Sequence, residues 1–221
     1  MRQIFILISK LLEKYNLYIS KSLSFYDNNN KKLKPNLDFV RYKTLELCAA
    51  EIYTNSIGGA VAEVGVYKGN FSEKLSILFP DKKLFLFDTF EGFDDRDILT
   101  EKAENFSNGK QDFSATNIEL VLSKIQNKHN CIVKKGFFPD TAIDVDDKFC
   151  FVNLDADLYQ PIYEGLRFFY PKLEKGGYIF VHDFNNAEYR GAREAVLKFC
   201  REERLGYTPI PDNGGTAIIS K

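Results

Sequence analysis

The stretches Val152-Asn153-Leu154-Asp155-Ala156-Asp157-Leu158-Tyr159 and Ile179-Phe180-Val181-His182-Asp183-Phe184-Asn185 each run from an apolar segment into acids, the second through a histidine. If both apolar segments are buried parallel strands, Asp155, His182 and Asp183 converge on one rim, because open α/β sheets gather ligands at the carboxyl ends of their strands. Carboxylates crowded on a rim repel each other unless a cation or a proton intervenes. Oxygen ligands suit magnesium, manganese or calcium, and a histidine admits transition metals as well. One such Asp caps the next helix as readily as it does chemistry. Three polar groups at two strand ends favour the chemical reading.

A second group of residues suits a nucleoside. Glu63-Val64-Gly65-Val66-Tyr67-Lys68-Gly69-Asn70 follows an apolar run and opens a helical stretch. Glycines there permit a tight turn and close approach of a ligand. The spacing is G-x-x-x-G, so it is not the dinucleotide fingerprint. Asp88, in Phe87-Asp88-Thr89-Phe90-Glu91-Gly92-Phe93, lies 23 positions after Gly65, a place suited to ribose hydroxyls. Gly136-Phe137-Phe138-Pro139-Asp140-Thr141 follows a third apolar run, where an adenine or a substrate can stack.

The elements that must hold these residues read as follows. Apolar spacing predicts a helix over 3–19, a polar loop at 27–32 and a second helix from Leu37 to Tyr53. Strands are expected at Ala60–Val64, Leu84–Phe87, Cys131–Val133, Phe149–Leu154 and Tyr178–Val181. Helices are expected at Asn70–Leu78, Asn117–Lys128, Tyr159–Leu173 and Ala187–Glu203, with Asp94–Phe113 as a loop. Alternation of this kind implies a parallel sheet covered on both faces. Tyr207–Ile210 and Thr216–Ser220 flank Pro211-Asp212-Asn213-Gly214-Gly215, a signal for an antiparallel hairpin at the sheet edge. The expected fold is thus α/β: a doubly wound Rossmann-like sheet with a C-terminal antiparallel hairpin. A helical extension over 1–57 precedes the domain at 58–221.

Composition limits the alternatives. The chain has 221 residues, 44% hydrophobic, 28% charged and 14% aromatic, as a globular chain with a core requires. A net charge of −1 gives no global basic field, so gripping a nucleic-acid backbone is disfavoured. The balance is uneven. Nine Lys/Arg against three acids make the first 43 residues +6, and 21 against 28 make the remainder −7. Lys31, Lys32 and Lys34 of the basic part are candidates for meeting an anionic acceptor. Cys48, Cys131, Cys150 and Cys200 form no C-x-x-C pair and read as reduced thiols of a cytoplasmic protein. The apolar run Ile4–Ile8 is too short to span a bilayer.

Glu63-Val64-Gly65-Val66, Asp88-Thr89-Phe90-Glu91-Gly92, Gly136–Thr141, Leu154–Tyr159, Tyr170-Pro171-Lys172-Leu173 and Gly176-Gly177-Tyr178-Ile179, in that order, resemble the macrocin-type O-methyltransferases. These are S-adenosylmethionine enzymes that methylate sugar hydroxyls. The resemblance implies a class I methyltransferase sheet whose last two strands form a hairpin. It implies cofactor contacts at Glu63, Gly65, Tyr67, Gly69, Asn70, Asp88, Thr89, Phe90, Ser114 and Asp155. It also implies a magnesium or other divalent ion held by Asp155, His182 and Asp183, with catalytic roles for Asp155, Asp157 and His182. The family has two adjacent Asp residues where this chain has His182-Asp183. His182 is then a ligand, a base, or a sign that metal dependence is lost. The expected acceptor is a sugar-containing small molecule, such as a nucleotide sugar or a glycoside, and a homo-oligomer is expected. The competing readings are a catalytically silent S-adenosylmethionine-binding subunit and an NAD-dependent sugar-modifying enzyme. The latter needs a tighter glycine fingerprint than this sequence has.

Overall fold

The computed structural model describes residues 2–15 and 38–221. The chain forms two compact units, Met1–Asn30 and Lys31–Lys221. In the first, helix α1 covers Arg2–Glu13, which agrees with the expected helix up to that point. Residues 16–19, the loop at 27–32 and Lys31, Lys32 and Lys34 lie outside the described residues. No helix among the described residues is long and apolar enough to cross a membrane.

The second unit opens with α2 (Phe39–Thr54), followed by β1 (Ala60–Val64), α3 (Asn70–Leu78) and β2 (Leu84–Asp88). Next come α4 (Asp95–Ala103), α5 (Ile118–Lys124), β3 (Cys131–Lys135) and β4 (Phe149–Leu154). The chain closes with α6 (Tyr159–Lys172), β5 (Leu173–Val181), α7 (Arg190–Glu203), β6 (Thr208–Ile210) and β7 (Thr216–Ser220). The sheet order is β3-β2-β1-β4-β5-β7-β6. The first five strands are parallel, and β7 runs antiparallel between β5 and β6. This is the doubly wound sheet with a terminal hairpin that the sequence predicts.

Strand residues alternate between two faces. Ala62, Val152 and Ile179 join α6 and α7 in one core. Val61, Phe151 and Phe180 join α2, α3 and α5 in the other, where Leu45, Ala49 and Ile52 of α2 are buried. The boundary expected at 57/58 therefore cuts a unit that the structure keeps whole, because α2 is one of the layers covering the sheet.

Three further expectations are corrected. Asp94–Phe113 is not all loop: Asp94 accepts a hydrogen bond from the Arg96 backbone N–H and caps α4, as N-terminal acids do. The helix expected over Asn117–Lys128 stops at Lys124, where Ile125 turns extended to bury its side chain. Strand β5 begins at Leu173, earlier than Tyr178, because glycine lets Gly177 pass the Cys150 carbonyl; a Cβ there would lie 2.8 Å from it.

Candidate active site

Register fixes the rim. Val64 pairs with Leu154, and Leu154 with Val181, so the residues after β1, β4 and β5 leave the sheet side by side. Gly65 has φ +83°, and a Cβ on it would lie 2.1 Å from the Asp155 carbonyl oxygen. Only glycine lets the two exits close together. At the neighbouring exit, Asp88 accepts from the backbone N–H groups of Val66 (2.6 Å) and Tyr67 (2.9 Å) through one oxygen. Its other oxygen accepts from Phe90 N–H at 2.6 Å. Asp88 thus ties the end of β2 to the glycine turn.

A buried polar chain runs beneath this rim. Ser72 Oγ donates to Glu63, and Asn153 Nδ2 donates to the other Glu63 oxygen at 3.1 Å. Arg41 Nη2 donates to Asn153 Oδ1 at 2.9 Å and to Asp155 Oδ2 at 2.8 Å, while its guanidinium lies 4.3 Å from the Phe71 ring centroid. Burial pushes the Glu63 carboxyl up to about 8, against the hydrogen bond from Ser72. Burial would also raise Asp155, but Arg41 and His182 outweigh it and hold this carboxyl well below the usual range.

His182 is fully committed. Its Nδ1 lies 3.0 Å from Asp155 Oδ1 and 2.8 Å from Asp183 Oδ2. Its Nε2 is 2.8 Å from the Asn213 carbonyl oxygen, which can only accept. Both ring nitrogens therefore carry protons. Burial alone would lower His182, yet Asp155 and Asp183 push it up to about 10. Asp183 Oδ1 accepts from Asn186 Nδ2 at 2.8 Å. Asp157, held at φ +60°, is raised well above the usual carboxylate range by burial and then by Asp183, to which it is hydrogen-bonded, and by Asp155.

These partners bear on the divalent ion that the resemblance implies. Asp155, His182 and Asp183 offer ligand atoms within 4.8 Å of one another, as do Asp38, His182 and Asp212. Spacing alone would admit an ion. In the first trio both Asp155 oxygens and both Asp183 oxygens already face N–H donors, and His182 has no free lone pair. In the second, Asp212 accepts from the Thr216 N–H and hydroxyl. In this arrangement an imidazolium and a guanidinium neutralise the carboxylates of the first trio.

One cavity of about 420 Å³ is lined by Glu63, Gly65, Tyr67, Asn70, Asp88, Thr89, Asp155, Asp157, His182 and Asp183. Three expected contacts are not on its wall. Gly69 sits at the α3 N-cap with φ +71°, Phe90 packs its ring into the core beside α2 and α3, and Ser114 is exposed. Phe137 and Phe138 line the cavity, as the stacking expectation requires. Sequence reasoning missed Arg41, Asn153 and Asp97. For Arg41 a signal existed: it lies four residues before Leu45, on the face that α2 buries.

Comparison with known proteins places the chain. It is 23% identical over 156 residues to the demethyldecarbamoylnovobiocin O-methyltransferase of Streptomyces niveus, covering 65% of this chain and 60% of that protein. It is also 23% identical over 195 residues to the 8-demethyl-8-(2,3-dimethoxy-alpha-L-rhamnosyl)-tetracenomycin-C 4'-O-methyltransferase of Streptomyces olivaceus, with 81% and 72% covered. The match thus spans less than two thirds of the first relative. The solved structure of the O-methyltransferase NovP superposes with a TM-score of 0.71 at 19% identity, over 83% of this chain and 80% of that one. The sequence model described as Macrocin-O-methyltransferase (TylF) matches residues 38–217. With a class I methyltransferase sheet and a match over most of its length, the chain belongs to the macrocin O-methyltransferase family of S-adenosylmethionine-dependent enzymes.

Proposed function

We propose that this chain transfers the methyl group of S-adenosylmethionine to a hydroxyl of a sugar or of a sugar-containing small molecule. One observation carries the reading. A single cavity is bordered on one side by the Gly65 turn and Asp88, and on the other by Asp155, Asp157 and His182. The first side suits the amino-acid part and the ribose of the cofactor, and the second suits an acceptor hydroxyl. The rhamnosyl group named in the substrate of the Streptomyces olivaceus relative supports a sugar acceptor here.

The step is an in-line displacement. The acceptor oxygen forms a bond to the methyl carbon as the carbon–sulfur bond breaks, the sulfonium becomes a neutral thioether, and the hydroxyl proton passes to a base. Asp157 is the base in this reading. Its raised basicity suits proton capture, whereas His182 has no lone pair to offer. Asp155 and His182 form an ion pair that fixes the rim beside Asp157 and so holds the base in place, which lowers the entropic barrier. The divalent ion implied by the resemblance has no step in this reading, because His182 and Arg41 already neutralise the carboxylates that would hold it.

Release of S-adenosylhomocysteine over a panel of nucleotide sugars and glycosides, with and without EDTA, tests the proposal. Turnover of at least one sugar acceptor, unchanged by EDTA, is expected. Failure of S-adenosylhomocysteine to bind would overturn it.

A further inference from the structure

Two buried side-chain atoms among the described residues lack a hydrogen-bond partner, Arg41 Nε and Asp97 Oδ1. Arg41 uses its Nη2 in the polar chain beneath the rim. Asp97 is different: it is 6% exposed, its carboxyl takes part in no hydrogen bond or ion pair among the described residues, and it lines the large cavity. A buried acceptor without a donor is costly, so such an atom points to a ligand that supplies one.

Two anchors of α4 say which part of the cavity Asp97 faces. At its first turn, the Arg96 guanidinium lies 3.5 Å from the Phe137 ring centroid and reaches Asp140 at 3.2 Å, which holds that turn to the exit of β3. At its last turn, buried Glu101 accepts from the Tyr159 N–H at 2.7 Å and from Ser107 Oγ at 2.6 Å, which holds it to the start of α6. Asp97 lies between these anchors and lines the same cavity as Phe137 and Phe138. The neighbouring acids are already used. Asp94 is bound by Arg96 through both oxygens, and Asp140 is paired with Arg96 and 70% exposed.

We infer that Asp97 Oδ1 accepts the exocyclic amine of the cofactor's adenine and makes the site selective for a base carrying a donor at that position. The inference rests on the cavity taking S-adenosylmethionine and deepens that reading. A planar base against the Phe137–Phe138 wall presents an edge, and the amine is the donor on that edge. Burial, with Asp94 adding to it, pushes Asp97 up to about 7, the expected sign of a carboxylate that awaits a donor. Above about 7, where the carboxyl is ionised, a base with a carbonyl in place of the amine would set two acceptors against each other.

The test titrates S-adenosylhomocysteine and S-inosylhomocysteine calorimetrically into the full chain and into Asp97→Ala and Asp97→Asn, with thermal melts to confirm folding. The wild type is expected to prefer the adenosyl ligand by about tenfold or more, the scale of a hydrogen bond to a charged group. Asp97→Ala should weaken the adenosyl ligand by a similar factor and abolish the preference. Asp97→Asn, which keeps an oxygen acceptor, should retain part of it. A preference that survives Asp97→Ala overturns the inference. So does a rise in acceptor KM with cofactor affinity unchanged, which would give the oxygen to an acceptor hydroxyl. Failure of both ligands to bind the wild type would remove the functional reading itself.

Discussion

Arg41 Nη2 stands 2.8 Å from Asp155 Oδ2, joining a helix that precedes the first strand to the rim where β4 leaves the sheet. The side chains are 7% and 22% exposed, so the pair is mostly shielded from water. Removing one partner of a buried pair leaves an uncompensated charge and costs about 3–5 kcal/mol. Arg41→Ala is therefore expected to lower stability by roughly that amount and to reduce kcat. Arg41→Lys should not restore both, because a compact ammonium cannot lie over the Phe71 ring as the planar guanidinium does, 4.3 Å from its centroid. Denaturant unfolding and steady-state rates check this.

His182 holds the place of a cation, so EDTA should leave wild-type turnover unchanged. His182→Asp would remove the proton donor and restore two adjacent carboxylates. That variant is expected to be inactive alone and to regain turnover when magnesium is added. A wild-type enzyme that EDTA silences would contradict the arrangement.

The same residue predicts a pH dependence of stability. Its folded pKa is raised from 6.5 to about 10, so its contribution is fully present below 6.5 and is lost as pH rises through about 10. Melting temperatures of the wild type and His182→Ala should converge across that window. A gap that stays constant would count against a charged His182.

Asp97 gives the same direction for the opposite reason, since its charged form is the one the fold disfavours. Its folded pKa is raised from 3.8 to about 7, so the folded state binds the proton more tightly and stability falls as pH rises through that interval. Asp94 and Glu101 push it up, while Arg96 pulls it down. Asp97→Asn should melt at a higher temperature than the wild type above about 7 and lose that advantage below 3.8.

Asp157→Asn should fold and bind cofactor while losing about 10²–10⁴-fold in kcat, the scale of general-base catalysis. In the wild type, kcat should rise with pH from above the ordinary carboxylate range, because burial and Asp183 hold the Asp157 proton on. Retained kcat in Asp157→Asn would remove it from the reaction.

Much of this was legible in the chain. The five parallel strands announce themselves as apolar runs because they are buried on both faces, and acids at their ends mark the rim. Arg41 was hidden by its neighbours: among basic residues its charge reads as solvated surface, and only the burial of Leu45 and Ile52 on the same helix face reveals its direction. Helix α4 was illegible for a different reason. Its apolar residues are few, and Leu99 is 68% exposed, so its position depends on Phe137 and Tyr159, residues distant in sequence. The state of His182 likewise depends on the carbonyl of Asn213, from a turn far downstream. No local pattern carries that information.

The most direct test is methyl transfer itself. Isotope-labelled S-adenosylmethionine is incubated with the EDTA-treated enzyme and the panel of sugar acceptors, and the products are read by mass and by carbon NMR. The account predicts the labelled methyl on a sugar oxygen in the wild type and its loss in Asp157→Asn. Label found on nitrogen or carbon, or on no acceptor unless a divalent ion is restored, would contradict it.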